Sequence, residues 1–150
     1  MRRMLGRAWP LAAFLLVLQT QPALADFSSC ASAYTASDPQ RQVDLYTICL
    51  KKGGLMAGDV AGALNNRGIA YDNLGQSDQA LQDFILATQY DPSFPEFRAN
   101  RAGAEARKGQ CAQALADMKL LLKMAPHRKQ FLDLNGRVTA SCPVVSKPPA

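Results

Sequence analysis

AGALNNRGIAYDNLGQSDQALQDFILATQYDPS, residues Ala61–Ser93, repeats itself one period later. A shift of 34 positions carries Gly75 onto Gly109, Ala80 onto Ala114, Leu81 onto Leu115, Asp83 onto Asp117 and Pro92 onto Pro126. The pair Asn66-Arg67 recurs as Asn100-Arg101, and Ala70 recurs as Ala104. Self-similarity at this period marks stacked helical hairpins, each of which buries its apolar face against the next.

Within the first copy, Leu64, Gly68, Tyr71 and Gly75 are spaced by four, three and four, which is one stripe of a helix over Gly58–Leu74. Gly68 costs about 1 kcal/mol of helix propensity relative to Ala. The expected return is close approach of the partner helix. Gly75 ends the helix, and Ser77 is the candidate N-cap of a second one, Ser77–Tyr90. Its stripe is Ala80, Phe84 and Ala87, flanked by Leu81 and Ile85. Asp91-Pro92 stops it, because a residue before proline avoids the helical region. Asp78 and Asp83 read as helix-start charges that complement the dipole.

The second copy follows the plan with weaker side chains. Arg98, Ala102 and Glu105 stand where the first copy has Leu64, Gly68 and Tyr71. Glu105 in place of a tyrosine predicts a smaller or solvated contact between helices. Gly109 ends the first helix, and Cys111–Ala125 forms the second, with Ala114, Met118 and Leu121 as its stripe beside Leu115 and Leu122. The last element, His127–Ser141, carries Phe131, Leu134 and Val138 among charged residues and reads as a solvating cap on an open stack. Upstream, Asp26–Ala36 is a short helical piece. Asp38 and Pro39 start a helix that runs from Gln40 to Lys52 and ends in Lys51-Lys52-Gly53-Gly54.

The first 25 residues have a different character. Met1–Arg7 carries three arginines and no acid, Leu11–Leu18 is an unbroken apolar run, and Ala23-Leu24-Ala25 supplies small residues before Asp26. This is the pattern of a cleaved secretory signal, and the apolar run is too short to span a bilayer. Without the signal arginines the formal charge of +5 falls to 14 basic against 12 acidic residues, which makes no case for nucleic-acid binding. Arg98, Arg101, Arg107 and Lys108 read as a solvated helix face. Export places Cys30, Cys49, Cys111 and Cys142 in an oxidising space, where four cysteines allow three pairings. Antiparallel packing of each terminal helix pair brings Cys30 to Cys49 and Cys111 to Cys142.

Gly68, Tyr71, Gly75, Ala80, Phe84, Ala87 and Pro92 match the tetratricopeptide repeat signature in order and spacing. The next copy matches through Ala102, Gly109, Ala114, Met118, Leu121 and Pro126, and a degenerate unit, about Phe27–Val60, fits the frame loosely. The sequence resembles a small exported bacterial tetratricopeptide repeat protein. The resemblance implies an all-α, right-handed superhelical stack of antiparallel helix hairpins, with about two and a half to three repeats and a capping helix. The expected layout is a signal peptide at 1–25 and a repeat domain at 26–142. Within that domain the repeats fall at about 27–60, 61–94 and 95–128, with a cap at 128–142. The tail, 143–150, carries three prolines and is expected to be disordered.

The resemblance also implies a scaffold that binds a protein or peptide in a concave groove lined by the first helix of each hairpin. On that frame the candidate partner-binding residues are Asn65, Asn66, Ile69, Asp72, Asn73, Asn100 and Arg101. Asparagine can satisfy a bound backbone with donor and acceptor together, and arginine can grip a carboxylate with two bonds. The family's clamp for a terminal carboxylate uses lysines and asparagines at set places, and this chain has Ile69 and Gly103 where two such polar groups are expected. Asn66-Arg67 and Asn100-Arg101 also admit a structural reading, in which Asn bonds neighbouring backbone and Arg covers the adjacent helix.

No catalytic chemistry is legible. His127 is the sole histidine, no CxxC pair exists, and no nucleophile-elbow, phosphate-loop or zinc-protease motif occurs. The expectation is therefore a non-enzymatic periplasmic adaptor without cofactor, metal, nucleic acid or stable membrane insertion. The alternative is a structural subunit that assembles with itself or with a cell-envelope complex.

Overall fold

The structure, a computed structural model, describes residues 28–143. The signal segment 1–25 and the tail from residue 144 lie outside the described residues. Seven helices and no strand are present among them: α1 (Ser28–Thr35), α2 (Pro39–Lys52), α3 (Ala57–Asn73), α4 (Ser77–Tyr90), α5 (Pro95–Arg107), α6 (Cys111–Met124) and α7 (Lys129–Ser141). Each helix packs against its neighbour in sequence, and α7 also packs on α5. The result is a stack of antiparallel hairpins, α1–α2, α3–α4 and α5–α6, closed by α7.

Local chemistry sets the helix ends. Asp38 caps α2 by accepting a hydrogen bond from the Arg41 backbone N–H at 2.8 Å, and Pro39 occupies the first turn. Gly75 and Gly109 take φ of +73° and +72°, which only glycine adopts without strain. After each, the chain closes the same turn: Gln76 N donates to Tyr71 O at 2.9 Å, and Gln110 N donates to Glu105 O at 2.8 Å. One end structure thus recurs with the 34-residue period. The expected Ser77 cap is corrected: Gln76 precedes the helix, no side chain caps it, and Ser77 is its first residue.

The stripes read from the sequence form the core. Leu64, Ala80, Phe84, Ala87, Ala114, Met118, Leu121, Phe131 and Val138 are buried. Gly68 has the expected role. A Cβ there would lie 2.7 Å from Phe84 Cε1 and 3.2 Å from the Ala80 carbonyl oxygen, so α3 and α4 meet closer than any larger residue allows. Cys30 is bonded to Cys49 and Cys111 to Cys142, fastening α1 to α2 and α6 to α7.

Charges inside the stack correct three expectations. Asp83 is not a helix-start charge: it is buried between α3 and α4, where Arg67 holds both its oxygens. Arg98 and Arg101 are not a solvated face, because both turn inward to Asp117 of α6, at 2.8 Å and 2.5 Å. Glu105 is not solvated either, with 5% of its surface exposed. The physical reason is the same for Asp83, Arg98 and Arg101. A buried aspartate on the second helix of the hairpin needs a cation, and the first helix supplies it. Asp78 does keep its place in the first turn of α4.

Candidate functional site

The first helices α3 and α5, together with α7, line a concave groove of about 890 Å³. From α3 it takes Gly58, Gly62, Asn65, Asn66, Ile69 and Asp72. From α5 it takes Glu96, Phe97, Ala99, Asn100, Gly103 and Arg107. Helix α7 adds Gln130, Phe131, Leu134 and Arg137, and the α4–α5 corner adds Asp91 and Phe94. The element read as a solvating cap is therefore also a groove wall.

Asparagines run across the floor. Asn100 Nδ2 donates to Asn65 Oδ1 at 2.7 Å, joining α5 to α3. Asn65 Nδ2 donates to Asn66 Oδ1 at 3.3 Å, and Asn66 lies beside Tyr46 of α2. Burial raises the Tyr46 phenol above its ordinary value, and the Asn66 side chain offsets part of that rise. These bonds tie the α3–α4 hairpin to the α5–α6 hairpin, and the groove-lining amides of Asn66 and Asn100 keep hydrogen-bonding capacity that no bond among the described residues uses. Between them the surface is apolar: Ile69 and Phe94 are 39% and 46% exposed, and Phe94 packs on Phe97 with ring centroids 4.6 Å apart. A Cβ at Gly58 or Gly62 would meet nothing within 4 Å, so this part of the floor is bare helix.

The groove's charges are largely paired. Arg107 donates to both oxygens of Asp72, at 2.8 Å and 2.7 Å, across the α3–α5 seam. Glu96 pairs with Arg128 at the start of α7. Among the described residues no group of histidines, cysteines and carboxylates could hold a metal ion, and no helix is long and apolar enough to cross a membrane. Such a surface can bind an extended or apolar segment.

No protein-family model matches the chain, and no curated protein sequence does. Solved structures do. The second tetratricopeptide repeat domain of human RPAP3, determined with the HSP70 peptide SGPTIEEVD, superposes with a TM-score of 0.68 at 22% identity. That match covers 79% of this chain and 98% of the other. The Arabidopsis OM64 domain gives 0.63 at 25% identity, over 75% and 90% of the two chains. The TPR2B domain of yeast Sti1, in a complex with pHsp70, gives 0.63 at 20%, over 77% and 94%. This chain has the tetratricopeptide repeat fold.

In this tetratricopeptide stack, five of the seven residues singled out from the sequence come together in the groove: Asn65, Asn66, Ile69, Asp72 and Asn100. Asn73 is exposed at the end of α3 and does not line it. Arg101 faces the opposite way, its guanidinium taken by Asp117. Asn66-Arg67 and Asn100-Arg101 thus divide their labour, with asparagine on the groove side and arginine inside the hairpin. Sequence reasoning missed Phe94, Phe97, Phe131, Leu134 and Arg137. Phe131 and Leu134 carried a signal, as part of the α7 stripe, but the parallel run of α7 beside α5 was not legible.

Proposed function

We propose that this chain is a non-enzymatic adaptor that binds a protein partner in the groove of α3, α5 and α7. The carrying observation is the groove itself. Exposed Ile69 and Phe94 offer apolar contact beside asparagine amides with unused donors and acceptors. The peptide complexes of structurally similar domains, such as human RPAP3 with its HSP70 peptide, support a peptide-binding role. The N-terminal signal pattern and the two disulfides support export to the periplasm, with cleavage before Asp26.

The test is site-specific photo-crosslinking in the cell. A photoreactive residue at Ile69 should capture a partner, and one at exposed Gln89 on α4 should not. Equal capture at both sites, or capture at Gln89 alone, would sink the groove reading. N-terminal sequencing of the periplasmic fraction checks the compartment and the cut: a chain recovered with its first 25 residues, or found with the cytosolic markers, contradicts export.

A further inference from the structure

Two charges in the groove lack an ion-pair partner among the described residues, and they lie at opposite ends. Asp91 sits at the α4–α5 corner, where one carboxylate oxygen accepts from Ser93 N and Oγ and the other is open. Arg137 lies in the last turns of α7. Glu96–Arg128 joins the starts of α5 and α7, and Gly103 faces both Arg107 and Leu134, so the two helices run parallel. The Asp91 mouth is thus the end where α5 and α7 begin, and the Arg137 mouth is where they finish. Helix dipoles act only over the terminal turn, and Glu96 and Arg107 already occupy those turns of α5. Asp91 and Arg137 are the charges left for a ligand.

The span between the mouths fixes a length. The 13 residues of α5 cover about 20 Å at 1.5 Å per residue, the reach of about six extended residues. The floor between them favours an extended chain. A bound helix has spent its own N–H and C=O groups internally, whereas an extended backbone presents them to the spare amides of Asn66 and Asn100. Ile69, Phe94, Phe97 and Leu134 make the middle apolar.

We propose, building on the groove reading above, that the ligand is an extended polypeptide segment of about six residues, with a basic side chain at the Asp91 mouth, a carboxylate side chain at the Arg137 mouth, and apolar side chains between. The acidic and basic ends of the groove complement it, and a uniformly acidic segment would set a carboxylate against Asp91.

Four N-acetylated, C-amidated fluorescent heptapeptides test this by anisotropy at low salt. They share five central residues, leucines and alanines, and end in Lys/Asp, Asp/Lys, Lys/Lys or Asp/Asp. One of the two mixed peptides should bind tightest. Arg137→Glu, at an exposed helix position outside the ion pairs of the described residues, should weaken that peptide about threefold, in line with exposed charge pairs, and improve the Lys/Lys peptide. Tightest binding of Asp/Asp, or no binding of any peptide, overturns the proposal. Equal binding of all four that Ile69→Arg abolishes overturns the charge order but leaves the groove reading intact. Binding that survives Ile69→Arg overturns both.

Discussion

Arg67 on α3 holds both carboxylate oxygens of Asp83 on α4, at 2.7 and 2.8 Å, and its remaining nitrogen donates to Thr47 on α2 at 3.1 Å. One side chain therefore ties three helices, and the Asp83 hydrogen bond keeps the Arg67 guanidinium even more basic than usual. The same grip recurs 34 residues on, between Arg101 and Asp117. Asp83 is 3% exposed, so removing its partner strands a buried charge. Arg67→Met should cost about 3 kcal/mol in urea unfolding, and the double change Arg67→Met/Asp83→Leu should recover most of it. A double variant as unstable as the single one would show that the pair does more than satisfy its own charges.

Gly68 is the second prediction. Alanine gains about 1 kcal/mol of helix propensity there, but its Cβ meets the Phe84 ring at 2.7 Å and the Ala80 carbonyl oxygen at 3.2 Å. Overpacking of this kind typically costs 1–3 kcal/mol, so the expected net loss after the propensity gain is about 1 kcal/mol. Phe84→Leu in the same chain should relieve part of it, since the two side chains share one space. The check is a double-mutant cycle by thermal unfolding, and simple additivity would refute the steric account.

Glu105 gives a pH dependence. Burial, then the nearby charge of Asp117, raises its carboxyl to about 7, while Arg101 and Arg98 pull the other way. An unfolded chain ionises this group near 4.5. Between those values the folded state holds the proton more tightly, so its contribution to stability is present below about 4.5 and lost as pH rises towards 7. The loss is on the order of 2–3 kcal/mol. Glu105→Gln should therefore match the parent at pH 4 and exceed it at pH 8. A difference that does not change with pH would refute the assignment.

Cys111–Cys142 fastens the last turn of α7, a groove wall, to the start of α6. A bridge across 31 residues contributes about 3–4 kcal/mol in the chain-entropy model. With Cys111→Ser/Cys142→Ser, amide hydrogen exchange should speed up over Lys129–Ser141 and stay slow over Ala57–Asn73, whose hairpin carries no disulfide. Uniform acceleration along the chain would mean that the stack unfolds as one unit.

The order of the helices could be read because hairpin packing repeats locally. Gly75 and Gly109 end helices through their own backbone freedom, and Ala80, Phe84 and Ala87 mark a buried face by spacing alone. Five groove residues were legible for the same reason, since the repeat frame says which face a first helix turns inward. Arg101 and Glu105 were not. An arginine or glutamate at a helical position looks solvated until the aspartate facing it is known, and Asp117 lies on another helix. Phe94 and Arg137 were equally hidden, because they reach the groove only once α5 and α7 lie parallel.

The sequence by itself determined the repeat, its glycine-terminated helix ends, its buried stripes and the pairing of its cysteines. All of these follow from residue spacing and from contacts between adjacent elements. Only the tertiary structure decided which charges are spent inside the hairpins and which remain in the groove. Whether a charge is buried and paired depends on what stands across from it in space, and that distance is not written along the chain.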